Sequence, residues 1–252
     1  MTASITVRLR GIVRTKAAGR YPSIQPLDIV TIALAHDDTH MNYQAICFDL
    51  DGTLWDVISS TCMAWNRVAG HYRLRETPIS RSDLEGTTGR PIRDCVEVLF
   101  GDDLPISAEQ LIREIESEEA RSIVPDAAHF YPSVLDGIAS LSRSHRLFLV
   151  SNCQDWYLER FFELSGLRPC FEAWDCHGMS GQPKGEMIGR IMSGWSANPL
   201  LYVGDTEGDW TGARAAGADF CYAAYGFGNV PDFDLRIDHF GELLGLMFAS
   251  AR

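Results

Sequence analysis

An α/β fold, with a parallel sheet flanked by helices and a helical unit inserted after the first strand, is what this sequence predicts. Three observations predict it. Short apolar runs alternate with helical patterns over most of the chain. Three of those runs end in a polar residue, Asp49, Ser151 and Asp205, as strands do whose carboxyl ends face a ligand. Between the first two, about residues 56–130, helical patterns follow one another with no convincing strand.

Each element has its own reason. Gln44 to Asp49 is an apolar run ending in a carboxylate and reads as a buried strand, broken by Gly52 and Thr53. Residues 58–75 carry Ile58, Cys62, Trp65, Val68 and Tyr72 at three- and four-residue steps, which predicts a helix. Pro91 to Phe100 predicts another, with proline in its first turn. Ser107 to Arg121 is a third, with Ser107 and Gln110 spaced as a capping box. Helices are then expected at Val134–Leu141, Asp155–Leu164, Gly185–Gly194 and Thr206–Ala216, the last stopped by Gly217. Strands are expected at Arg146–Val150, Phe171–Asp175, Leu200–Val203 and Asp219–Ala223. The chain divides into a core, 41–55 with 131–252, and the helical insertion, 56–130.

The 252 residues are 46% hydrophobic and 22% charged, which suits a globular core and excludes a mostly disordered chain. Net charge is −12 and no basic patch is evident, so a nucleic-acid partner is not expected. No apolar run approaches a membrane span; Leu243 to Ala249 is far too short. Seven scattered cysteines with no C-x-x-C pair point to a reducing, cytoplasmic compartment. Cys170, Cys176 and His177 fit no common zinc spacing. Residues 1–40 hold five bases against three acids, with no acid in the first 27. They read as a poorly ordered extension rather than a targeting signal.

The chemistry sits at the three strand ends. Asp49 and Asp51, at i and i+2 of extended chain, face the same way. Two close acids repel, so a metal ion or a shared proton must compensate. One can then be an ionised nucleophile while the other, with a raised pKa, donates a proton. Gly52 lets backbone approach a ligand closely, as a phosphate cradle needs. Asp205 and Asp209 are oxygen donors of the kind Mg²⁺ takes, although an acid at a helix start is also favoured by the dipole alone. Ser151-Asn152 offers a hydroxyl and backbone amides. Lys184, in the loop Gly181 to Gly185, could supply positive charge, although a lone loop lysine is most often solvated.

Taken in order, Asp49-Leu-Asp51-Gly52-Thr53-Leu54, Ser151-Asn152, Lys184 and Gly204-Asp205-Thr-Glu-Gly-Asp209 resemble the haloacid dehalogenase superfamily, in its phosphoglycolate phosphatase-like branch. The resemblance covers about 43–230. It implies a Rossmann-like core with an inserted helical cap, hinged near Asp56 and Tyr131. It implies Asp49 as the nucleophile and Asp51 as general acid, then base. Gly52, Thr53, Ser151, Asn152 and Lys184 would hold the phosphoryl group. Mg²⁺ would be bound by Asp49, the Asp51 carbonyl and Asp205, with Asp209 supporting or ligating. Thr88-Gly89-Arg90-Pro91 resembles the cap loop that reaches towards substrate, which makes Arg90 and Arg93 candidates for the non-phosphoryl end, or ordinary surface arginines. Gly185 follows Lys184 where many relatives have proline.

The expected activity is Mg²⁺-dependent hydrolysis of a small phosphorylated metabolite through an aspartyl-phosphate, by a monomer or homodimer. A phosphomutase of the same superfamily, a dehalogenase and a non-catalytic binding protein are the other readings. Cys153, two residues after Ser151, is expected near the site mouth and would be oxidant-sensitive if its pKa is low.

Overall fold

The computed structural model describes residues 43–126 and 129–249, so the expectation for residues 1–40 lies outside the described residues. Six strands form one sheet: β1 (Ala45–Phe48), β2 (Arg146–Ser151), β3 (Ala173–Cys176), β4 (Leu200–Gly204), β5 (Asp219–Ala223) and β6 (Leu235–Ile237). Their order is β3-β2-β1-β4-β5-β6 and every pairing is parallel. The four inner strands are buried on both sides and are nearly continuous apolar runs. Their side chains still alternate between faces with period two. Ile46, Phe48, Leu147, Leu149, Leu201 and Val203 join one core cluster; Ala45, Cys47, Phe148, Val150, Leu200 and Tyr202 join the other.

The first cluster is covered by α5 (Val134–Leu141), α6 (Asp155–Ser165) and α10 (Phe240–Ala249). The second is covered by α8 (Lys184–Gly194) and α9 (Glu207–Ala216). A single-turn α7 (His177–Ser180) follows β3. Between β1 and β2 the chain forms α1 (Ile58–Tyr72), α2 (Arg81–Glu85), α3 (Ile92–Phe100) and α4 (Ala108–Ser122). These four pack around their own apolar cluster, with Trp65, Leu111 and Ile115 at its centre. The two strands of chain joining them to the sheet lie side by side: Asp56 N donates to His129 O at 2.7 Å and Tyr131 N to Leu54 O at 3.3 Å.

Differences from the sequence expectations have local causes. Lys184 is not in a loop: it opens α8 behind Pro183. Gly185 follows it because a side chain there would press on Ala215 and the Gly212 carbonyl, at 3.1 and 3.2 Å. The α4 box is half made. Ser107 accepts from Gln110 N, but the Gln110 side chain donates to Glu114. α1 stops at Tyr72 because Arg73 turns left-handed at φ 54°. α2, α7 and β6 have five, four and three residues, too few for a periodicity to show.

Candidate active site

Sheet register assembles the site. Phe48 pairs with Leu149 on one side and Val203 on the other, so Asp49 leaves β1 between the ends of β2 and β4. There the chain diverges to both sides of β1, and ligand crevices form at such points. Asp49, Asp205 and Asp209 are buried, and their oxygens lie within 4.8 Å of one another. Among the described residues this is the one acidic or cysteine–histidine cluster with metal-ligating spacing.

Lys184 enters from α8. Its Nζ donates to Asp49 Oδ1 at 2.8 Å and to Asp209 Oδ1 at 2.5 Å. Burial works against the ammonium, but the charges of Asp209 and Asp49 outweigh it and hold its pKa above the ordinary lysine value. Burial and the charge of Asp209 push the Asp49 carboxyl up, while Lys184 pulls it back towards the anion.

Asp209 is committed to this framework. Its Oδ2 accepts from Asp205 N, Thr206 N and Thr206 Oγ1 at 3.2, 2.9 and 2.7 Å. With Thr206 it forms the capping box of α9. Its Oδ1 takes Lys184 and Tyr202 OH, the latter at 3.3 Å. Its lone pairs are thus used inside the protein, and it braces the lysine.

Asp205 is the opposite case. It accepts from Phe227 N at 2.7 Å, Gly228 N at 3.3 Å and Thr53 Oγ1 at 3.5 Å, with no cation in contact. Burial, then Asp209 and Asp49, raise its pKa well above the carboxylate range. Two buried carboxylates converge here, and the one lysine is shared between Asp49 and Asp209. A hard divalent cation such as Mg²⁺ suits this donor set and supplies the missing charge.

The carboxyl of Asp51 stands apart from that cluster. Its Oδ1 accepts from Tyr157 OH at 2.6 Å and Trp55 Nε1 at 3.0 Å. Burial raises its pKa to about 6 against the lowering by these two bonds. That places it near neutrality, where a group can give and take a proton.

Gly52 has φ +77°, and a Cβ there would sit 2.3 Å from Asp205 Oδ2, so glycine is required twice over. Gly226 is equally tight: a Cβ would meet Asp205 Cβ and Gly52 O, both at 2.4 Å. The Gly226-Phe227-Gly228 loop escaped the sequence reading, although it follows a fourth strand end. Trp55, Tyr157 and Glu119 escaped it too.

Ser151 is buried at the end of β2. Asn152 donates to Gly89 O at 2.7 Å, tying the sheet edge to the helical unit. The structure separates the two arginines. Arg90 lines the cavity above Asp49 and Asp51, whereas Arg93 pairs with Glu109 at 2.8 Å, both exposed, and does not line it. Cys153 also lines that cavity. However, burial, followed by its contact with Cys176, raises its pKa, so the condition for an oxidant-sensitive thiol is not met.

Comparison with known proteins follows the same lines. The family described as haloacid dehalogenase-like hydrolase matches residues 46–223. Relatives include the phosphoglycolate phosphatase of Chromobacterium violaceum, 26% identical over 215 residues, 81% of this chain and 96% of that protein. The phosphoglycolate phosphatase of Synechococcus elongatus is 27% identical over 190 residues, 73% and 85% of the two chains. Solved structures sharing the fold include a predicted phosphoglycolate phosphatase from Haemophilus somnus, with TM-score 0.71 and 17% identity, covering 81% of this chain and 98% of that one. CbbY from Rhodobacter sphaeroides, solved with xylulose-(1,5)-bisphosphate, has TM-score 0.69 and 19% identity, covering 80% and 96%. Among the described residues, no helix is long and apolar enough to cross a membrane.

Proposed function

This chain belongs to the haloacid dehalogenase-like hydrolases, and on that premise we propose that it hydrolyses a small phosphate monoester through a phosphoryl group carried on Asp49. The observation that carries the reading is the different wiring of two acids two residues apart. Asp49 is held by a buried lysine, whereas Asp51 is held by Tyr157 and Trp55 away from it.

In the first half-reaction an Asp49 oxygen attacks phosphorus and the bond to the ester oxygen breaks. Asp51 gives that oxygen its proton, so the alcohol leaves neutral. In the second, Asp51, now a carboxylate, takes a proton from water as it attacks phosphorus. Orthophosphate leaves and Asp49 is restored. Lys184 pulls Asp49 towards the anion and faces the phosphoryl oxygens, with Ser151 and Asn152 as further donors. The Gly52 and Thr53 N–H groups expected there already donate to Trp55 O and Leu50 O, and the Thr53 hydroxyl to Asp205. Asp49, Asp205 and the Asp51 carbonyl would hold Mg²⁺, which would offset the charge of the phosphoryl group against the acids around it. A halide leaving group needs no proton, so the built proton donor at Asp51 favours a phosphatase over a dehalogenase.

The helical unit acts as the cap. Asn152 on Gly89 closes it over the site, and a side chain at Gly89 would press on Thr206 Oγ1 at 3.0 Å. Closure excludes bulk water from the acids. Arg90 stands exposed at the cap's edge. An aryl phosphate assay of the metal-free protein, followed by Mg²⁺ addition, tests the reading. Turnover restored by Mg²⁺ is the expected result; none in either state would overturn it.

A further inference from the structure

Between the cap and the two catalytic acids lies a cavity of about 130 Å³, near the size that holds one benzene-sized molecule. Asp49, Asp51 and Ser151 form its phosphoryl end. The far end is apolar and aromatic, with Ile58, Trp65, Leu84 and Trp156. An acid lines the same cavity from the cap: Glu119 of α4, at 6% exposure.

Glu119 has work left to do there. Its Oε1 accepts from Trp65 Nε1 at 2.7 Å. A glutamine would accept that bond equally well, without the cost of a buried acid. Among the described residues no cation offsets it: burial is the main influence on its titration, and Asp51 and Glu116 add to the negative field. Burial holds Glu119 protonated while no cation is beside it, and an ammonium on the ligand would let it ionise against that charge. Aromatic walls favour the same partner, because ring faces attract ammonium groups. A carboxylate at the substrate's far end would instead be buried beside an acid with no cation to pair with it. Arg90 does not relieve this, since it is exposed and also lines the outer groove beside Pro91.

We propose that Glu119 selects phosphate monoesters whose small organic end carries an ammonium group, with the cation seated against its carboxylate. The inference rests on the phosphatase reading above and adds the substrate class.

The test compares kcat/KM of the full chain with Mg²⁺ on four probes: phosphoethanolamine, propyl phosphate, 2-phosphoglycolate and an aryl phosphate. Propyl phosphate has the shape of the amine with a methyl in place of the ammonium. Phosphoethanolamine should exceed propyl phosphate by about tenfold or more, and phosphoglycolate should rank last. In Glu119→Gln the ratio of phosphoethanolamine to propyl phosphate should fall towards one. A merely structural role for Glu119 would lower stability and all rates together without moving that ratio, and would overturn the inference. So would a wild-type preference for phosphoglycolate, which Arg90→Ala would trace to the cap edge if it abolished the preference. Turnover of none of the four, the aryl phosphate included, would overturn the phosphatase reading and this inference with it.

Discussion

Replacing Asp49 by asparagine should abolish turnover, because an amide is a poor nucleophile and no phosphoenzyme can form. Asp51→Asn keeps the nucleophile and loses the proton donor. With an alkyl phosphate both half-reactions should be slow; with an aryl phosphate, whose leaving group needs no proton, the second should suffer more. Rapid-quench mass spectrometry should then find a phosphoryl group on the Asp49 peptide of that variant. A phosphoryl group elsewhere, or full turnover by Asp49→Asn, would sink the role assignments. Glu119 carries a second prediction at this scale. Burial raises its pKa to about 8 from 4.5, so from pH 4.5 upward the unfolded chain loses this proton while the folded chain keeps it. Stability from this group is therefore full below 4.5 and is lost as pH rises to about 8. Glu119→Gln cannot lose a proton, so its stability relative to wild type should improve by a few kcal/mol between pH 5 and pH 8. Urea midpoints at the two pH values check this; a constant difference would mean that Glu119 is ionised in the folded protein.

At the scale of elements, α9 and the β5 loop divide the acids between two tasks. Asp205→Asn should raise the Mg²⁺ concentration needed for half-maximal activity, since a hard cation prefers a charged oxygen. Asp209→Asn should act through Lys184 and the α9 cap. Breaking a buried pair costs roughly 3–5 kcal/mol, and Lys184 retains Asp49, so a loss at the lower end is expected. Thermal unfolding with and without Mg²⁺ separates the two variants; equal Mg²⁺ dependence in wild type and Asp205→Asn would remove Asp205 from the metal site. Much of this framework was legible beforehand. The five longer strands show as apolar runs because a doubly covered sheet demands them, and their polar ends name Asp49, Ser151 and Asp205. Lys184 was legible as a residue but not as an α8 residue, because Gly185 after it mimics a loop. The cause is the close packing of α8 on Gly212 of α9, a contact 27 residues away in sequence. The Gly226-Phe227-Gly228 loop contributes backbone N–H groups, which leave no mark in side-chain chemistry. Tyr157 and Glu119 read only as members of helical patterns, since their role depends on which helix face meets the cavity.

For the whole molecule, the question is what holds the cap over the core. Several contacts cross that boundary, among them Arg160 Nη2 of α6 on Ala120 O of α4 at 3.1 Å. Asn152 meets Gly89, Arg81 of α2 pairs with Asp56 in the linker, and the Arg81 guanidinium lies 5.8 Å from the Phe227 ring centre. Phe227 packs against the cap's apolar cluster, and its N–H binds Asp205. Arg81 therefore joins the cap, the linker and the loop that holds Asp205, without touching the phosphoryl site itself. Its side chain is partly exposed, so its ion pair is worth little, and a cation–π contact adds about 0.5–1 kcal/mol. Losing about 1 kcal/mol of closure would lower the ratio of closed to open cap by about fivefold. Arg81→Ala should thus raise KM for an aryl phosphate by up to about that factor, with a smaller change in kcat, because the acids and Lys184 are untouched. Amide exchange in α2 and α3 should quicken, while exchange in β1 and β4 stays as it was. Exchange unchanged in α2 and α3 would show that Arg81 does not hold the cap, and closure would then rest on Asn152, Arg160 and the apolar contact of Phe227.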